Sequence, residues 1–261
     1  MAQPALPALL EALHQHHTTL CTASGLSARD EESWELLLRA YSEPHRHYHA
    51  LSHLHAMLVW LAEAEREGGC MPRNRAALLW ATVYHDAVYD PAAHDNEQRS
   101  ADLARQHLHR MGLTRLAEYV AALVLATQRH QLPTVAPATP TVAQAPPSQP
   151  VAAAGLDALV AEPEKRDLSV LGASPQLYTQ YADGVRREYC PVVCSEEEFR
   201  VGRSRVLESF LERPTLFFTP YARGRLEAAA RANLAMELRE LTGDGRGEAV
   251  RIAAGLNPGP A

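Results

Sequence analysis

No run of the 261-residue chain is apolar for long enough to cross a bilayer. The longest, such as AALLWATVY, stop well short of the ~20 residues that a spanning helix needs. The opening residues lack the basic stretch and apolar core of a secretory signal. Cysteine is scarce. Four are scattered at Cys21, Cys70, Cys190 and Cys194, which suits a reducing compartment, and a cytoplasmic location is expected. Cys190 and Cys194 are spaced to share a metal in principle, but without a second pair they read as two free thiols. Excess positive charge is absent: the net charge is −6 and the pI is near 6.1. No basic field therefore invites nucleic acid, although a local basic pocket for a phosphate stays open. Strand-like alternation never lasts long enough to propose a sheet, and no internal repeat is visible.

What is there reads as helix almost throughout. PALPALLEALHQHHTTL is amphipathic, and RDEESWELLLRAY opens on acids, as a helix N-terminus prefers. Further helices are predicted over about 47–67, 73–89, 95–111 and 114–129, and then over about 175–189, 195–212 and 221–241. One segment breaks the pattern. QLPTVAPATPTVAQAPPSQPVAAAG, residues 131–155, is too rich in proline to pack as a helix and is expected to be an extended loop. The expectation is one all-α domain over 1–241 with this Pro/Ala-rich insertion, followed by a loosely held tail over 242–261.

The stretch HRHYHALSHLH carries histidine at 45, 47, 49, 53 and 55. At 100° per residue, Leu51, Leu54 and Leu58 share one stripe, and His49, His53, Ala56 and Trp60 share the opposite one. His47 falls with the leucines as a candidate core residue, while His45 and His55 look peripheral. The later helix RAALLWATVYHDAVYD is apolar all round until His85 and Asp86. A carboxylate at the end of a buried helix needs a partner, because burying it alone is costly. The pattern thus brings His49, His53, His85 and Asp86 into an apolar interior. Imidazoles and carboxylate in a protected place form a nest for a divalent metal.

RHYH, then HD, then a later aspartate in a helical chain resembles the HD superfamily of metal-dependent phosphohydrolases. More closely, YSEPHRHYHALSHLHAML, ATVYHDAVYDPAAHDNEQRSA, ATQRH, DLSVLG, YADGVRREYCPV, FRVGRSRVLESFL and ARANLAMEL, in that order, resemble a bacterial family of predicted HD phosphohydrolases. The likeness runs from about residue 30 to 241. It implies an HD-type helical bundle with a metal in its middle, and His49, His85, Asp86 and Asp167 as the ligands. The family tends to read DADL where this chain has KRDL, so Lys165 stands in place of an acid near Asp167.

That resemblance implies hydrolysis of a nucleotide or other small phosphorylated metabolite, with Mn, Ni, Co, Mg, Zn or Fe as the divalent ion. Asp90 and Glu97 are candidate proton shuttles; their alternative is to cap a helix or sit in its first turn. Asp95 or Asn96 is a candidate cap for the helix that follows. Arg46 and Arg186 are candidate phosphate grips, and the alternative for both is an Arg–carboxylate pair. His53, Asn96 and His130 are candidates to line the substrate side. Two other readings remain: a di-iron oxygenase on the same fold, and a nucleotide-binding regulatory protein with a weakened site, which Lys165 keeps open.

Overall fold

A computed structural model describes residues 5–26, 30–67, 75–128, 168–217 and 220–243. The described residues are all-helical, with no strand among them. The chain divides into two compact units, Met1–Asp167 and Leu168–Ala261, where the sequence was read as one domain over 1–241. Both units contain buried apolar side chains. The first buries Leu13, Trp34, Tyr41, Leu54, Trp80 and Val120, and the second buries Leu171, Tyr178, Leu207, Phe217 and Leu234. The insertion at 131–155 and the end of the tail lie outside the described residues.

The first unit holds α1 (Leu6–Ala23), α2 (Glu31–Ala40), α3 (Leu51–Arg66), α4 (Arg75–Tyr84), α5 (Asn96–Arg110) and α6 (Thr114–Thr127). The acidic start of α2 works as expected. Asp30 caps it, accepting from Ser33 N at 3.1 Å and from Ser33 Oγ at 2.6 Å. α4 is the central helix: it packs against α1, α3, α5 and α6, and every residue from Ala77 to Tyr84 is buried. Its lack of a polar face in the sequence is explained by that enclosure. Gly112, with φ at +76°, makes the turn from α5 to α6, a conformation that a Cβ disfavours.

Two helix ends differ from expectation, and both lie at the histidines. α3 starts at Leu51 and not near 47, because Leu51 N bonds Tyr41 O at 3.2 Å and residues 47–50 form bends. His49 therefore precedes the helix and does not share a helical stripe with His53. His47 is exposed, not a core residue, and Ala56 is exposed as well. α4 stops at Tyr84, so His85 and Asp86 occupy a turn. The carbonyls of Asp86 and Ala87 accept from Arg46, and Val88 N donates to Ser100 Oγ at 3.0 Å. Backbone groups committed elsewhere cannot propagate the helix.

The second unit holds a 3-10 turn (Leu168–Gly172), α7 (Pro175–Tyr189), α8 (Glu196–Leu211) and α9 (Pro220–Thr242). A capping box starts α8, with Ser195 and Glu198 bonding each other's backbone N–H. Asn233 of α9 donates to Leu171 O at 2.7 Å and to Ala173 O at 2.9 Å, which holds the 3-10 turn on the helix. The approach is close. A Cβ added at Gly172 would meet Leu226 Cβ at 2.7 Å and its carbonyl oxygen at 2.9 Å.

Candidate metal centre

Three side chains converge in the first unit. His53 comes from the first turns of α3, and His85 and Asp86 come from the turn that ends α4. One donor atom from each lies within 4.8 Å of the others. Donors on a single ion, each bonded at about 2.0–2.2 Å, lie no more than roughly 4.4 Å apart. The group thus closes on an ion with shifts of a few tenths of an ångström, and it could hold a metal ion.

The state of His85 fits that role. Its Nδ1 lies 2.8 Å from the carbonyl oxygen of Thr82. A carbonyl only accepts, so Nδ1 carries a proton, and in the neutral form of the ring Nε2 presents a lone pair. That is the usual way in which a partner of this kind orients a metal-binding histidine. Nε2 in turn lies 2.9 Å from Asp86 Oδ2. A lone pair and a carboxylate oxygen at that distance need a cation to join them, either a proton or a metal. Two ligands at right angles on an ion with about 2.1 Å bonds would be about 3.0 Å apart.

Asp86 stays ionised. Burial pushes its carboxyl up, but His85 beside it, then His49 and His53, in their protonated forms, pull it well below the usual carboxylate range. His85 and His53 are buried, whereas the side chains of His49 and Asp86 each keep 17% exposure. The cluster therefore has a wet side.

His49, expected as a ligand, stands next to this group. Its Nε2 is 4.0 Å from Asp86 Oδ2, and its ring is 5.9 Å from that of His53. His53, expected on the substrate side, takes the place among the converging donors. Tyr48 packs on both rings, at 4.8 Å from His49 and 4.5 Å from His53, and Tyr89 stacks on His49 at 4.3 Å. Both tyrosines sit inside the quoted motifs, and their position one residue before a histidine and three after the HD pair was the only signal of their role.

Arg46 is not an open phosphate grip. Its buried guanidinium donates to Glu43 at 2.9 Å, to His49 O at 3.1 Å, to Asp86 O at 2.7 Å and to Ala87 O at 3.3 Å. It ties together the two chain segments that carry the cluster. Asp90 is exposed, and one of its oxygens accepts from Ala92 N at 2.9 Å. Asn96 grips the backbone of Asp90 from both sides, at 3.0 and 2.8 Å. These two residues brace the loop from α4 to α5, which commits Asn96 and one oxygen of Asp90 to backbone hydrogen bonds. Asp95 takes the N-cap position of α5 without a side-chain capping hydrogen bond and lies 3.9 Å from Arg99, and Glu97 is half-buried in its first turn. Arg186 belongs to the second unit, exposed and paired with Glu196 at 2.6 Å and Asp183 at 3.0 Å, which is the Arg–carboxylate alternative. Asp167, His130 and Lys165 lie outside the described residues.

No described helix is long and apolar enough to cross a membrane. Comparison with family models, with curated proteins and with solved structures finds no match to the chain.

Proposed function

We propose that the protein is a divalent-metal-dependent phosphohydrolase of the HD type, acting on a nucleotide or another small phosphorylated metabolite. The observation that carries this reading is the group His53, His85 and Asp86, with Nε2 of His85 turned toward Asp86 while Nδ1 meets the Thr82 carbonyl. The order of motifs from YSEPHRHYH to ARANLAMEL supports it independently.

A divalent ion held there would lower the pKa of a water and polarise a phosphoryl oxygen. The chain's own residues prepare the place. Asp86 supplies a carboxylate oxygen 2.9 Å from His85 Nε2. Thr82 locks the tautomer of His85. Tyr48 and Tyr89 pack against the imidazoles and limit water on that flank. Arg46 holds the carbonyls of His49 and Asp86 and so fixes the two segments in register. His49, partly exposed beside Asp86, is placed to receive a proton or a phosphate oxygen from the wet side.

A second reading has a specific observation behind it. Two of the expected working groups, Arg46 and Asp90, are used structurally. A regulatory protein that binds a phosphorylated ligand without turning it over would be built in this way.

The test is elemental analysis of the purified protein beside Asp86→Ala, followed by a phosphate-release screen with the metal found. About one equivalent of a divalent ion, lost in the variant together with turnover, is expected. Metal retained by Asp86→Ala would overturn the site. Metal with no release from any phosphorylated compound would favour the regulatory reading, and two irons would move the assignment to oxygen chemistry.

A further inference from the structure

The loop between α7 and α8 holds chemistry that the metal centre does not use. Cys190 N donates to Arg186 O at 2.8 Å, continuing the end of α7. Val193 N and Cys194 N then both donate to Tyr189 O, at 2.8 and 3.3 Å. The three residues between the cysteines are thereby folded back over the helix end, and Cys194 returns to Cys190. Both thiols are free. Burial raises the Cys190 thiol to about 11, and Glu196 and a hydrogen bond with Cys194 add to it. Cys190 is buried, and its Sγ reaches Ser195 O at 3.9 Å. Cys194 is half-buried, and the residues before it are open, Val192 at 72% and Val193 at 40% exposure. Cys194 is thus the more open residue of the pair.

We propose that Cys190 and Cys194 form a reversible dithiol–disulfide site that takes hydrogen peroxide as its oxidant. The Cys194 sulfur attacks the O–O bond and keeps one oxygen as a sulfenic acid, and the second oxygen leaves as water with the thiol proton. The Cys190 sulfur then attacks the Cys194 sulfur. The S–O bond breaks, the S–S bond forms, and the hydroxyl leaves as water with the proton of Cys190. Two electrons pass from the pair of thiols to one peroxide. A buried, raised thiol is a poor first attacker, so Cys190 acts as the resolving partner. The bond would tie the end of α7 to the loop that opens α8 and withdraw Cys190 from Ser195 O. A small dithiol reductant restores both thiols.

The full chain provides a clean readout. Trypsin cuts after Arg187 and Arg200, and the peptide 188–200 contains Cys190 and Cys194 and neither of the other cysteines. Reduced protein is exposed to graded hydrogen peroxide, blocked with N-ethylmaleimide, digested and weighed. The expected product is peptide 188–200 without label and lighter by its two thiol hydrogens, with both labels recovered after dithiothreitol. In Cys190→Ser, Cys194 should be trapped by dimedone as the sulfenic acid. The proposal is overturned if wild-type 188–200 keeps both maleimide labels under peroxide that oxidises Cys21 or Cys70. It is equally overturned if Cys194 goes straight to sulfinic acid, or if either cysteine joins a different peptide.

Discussion

Nη1 of Arg46 donates to the carbonyl oxygen of Asp86 at 2.7 Å, across forty residues of sequence. The same nitrogen reaches His49 O at 3.1 Å, and Nη2 reaches Ala87 O at 3.3 Å. A planar fork can satisfy several acceptors at once, and a lysine ammonium on its flexible stem cannot hold them in the same geometry. Arg46→Lys is expected to lower folding stability by about 2–3 kcal/mol, since buried carbonyls lose their donors. Metal affinity should fall with it, although every proposed ligand remains. Urea unfolding with and without chelator checks the first, and metal titration the second; unchanged values for both would show that the clamp is idle.

His53 and His49 can be ranked by substitution. His53 supplies one of the three converging atoms, while His49 stands 4.0 Å from Asp86. His53→Ala should weaken metal binding by more than the ~10–100-fold seen when a supporting residue is lost, and His49→Ala should fall within that range. Isothermal titration with one chosen ion gives both numbers. The reverse order would restore His49 as the ligand that the sequence resemblance implies.

The first unit should lose stability in mild acid even without metal. Burial, and then the neighbouring His55 with its ring 5.5 Å away, lower His16 from the ordinary 6.5 to about 4. Burial lowers His55 as well. A folded value below the unfolded one means that the unfolded chain binds more protons in between, so stability rises with pH there. The contribution is whole above about 6.5 and fades as the pH falls toward 4. In chelated protein, His16→Gln should flatten the pH dependence of the urea midpoint between these limits. An unchanged slope would rule out the pair as its source.

The second unit rests on a buried ion pair. Arg203 donates to both oxygens of Glu237 at 2.8 and 3.0 Å, and each side chain is only 9% exposed. Tyr178 donates to the same carboxylate. Glu237→Ala leaves the guanidinium buried and uncompensated, and about 3–5 kcal/mol of stability should be lost. Arg203→Met together with Glu237→Leu should recover part of it, because both charges are then gone. Thermal unfolding of the single and double variants decides; additive losses would show no coupling.

Gly172 has no room for a side chain, since a Cβ would lie 2.7 Å from Leu226 Cβ and 2.9 Å from its carbonyl oxygen. Gly172→Ala should cost about 1–3 kcal/mol as the 3-10 turn is pushed off α9. A thermal midpoint equal to wild type would show that the turn moves freely.

Much of the helical layout was legible because helix signals are local. The proline at the start of α7, the Ser195–Glu198 box of α8 and the acids of α2 mark their own ends. The enclosure of α4 was legible too, since a helix with no polar face must be surrounded. The grouping of His85 and Asp86 followed from the cost of burying a charge at the end of such a helix.

The exact set of converging side chains was not legible in that way. His49 shares a stripe with His53 only if the helix begins before it, and the Tyr41 carbonyl takes Leu51 N and sets the start later. Arg46 reads as a phosphate grip in any linear view, because its partners at Asp86 and Ala87 are forty residues away. The sequence by itself determined helical character, the apolar enclosure and the types of donor available, since these depend on near neighbours and on composition. Only the tertiary structure decided which donors meet, and that the chain divides into two compact units, because those outcomes depend on hydrogen bonds and packing between residues remote in sequence.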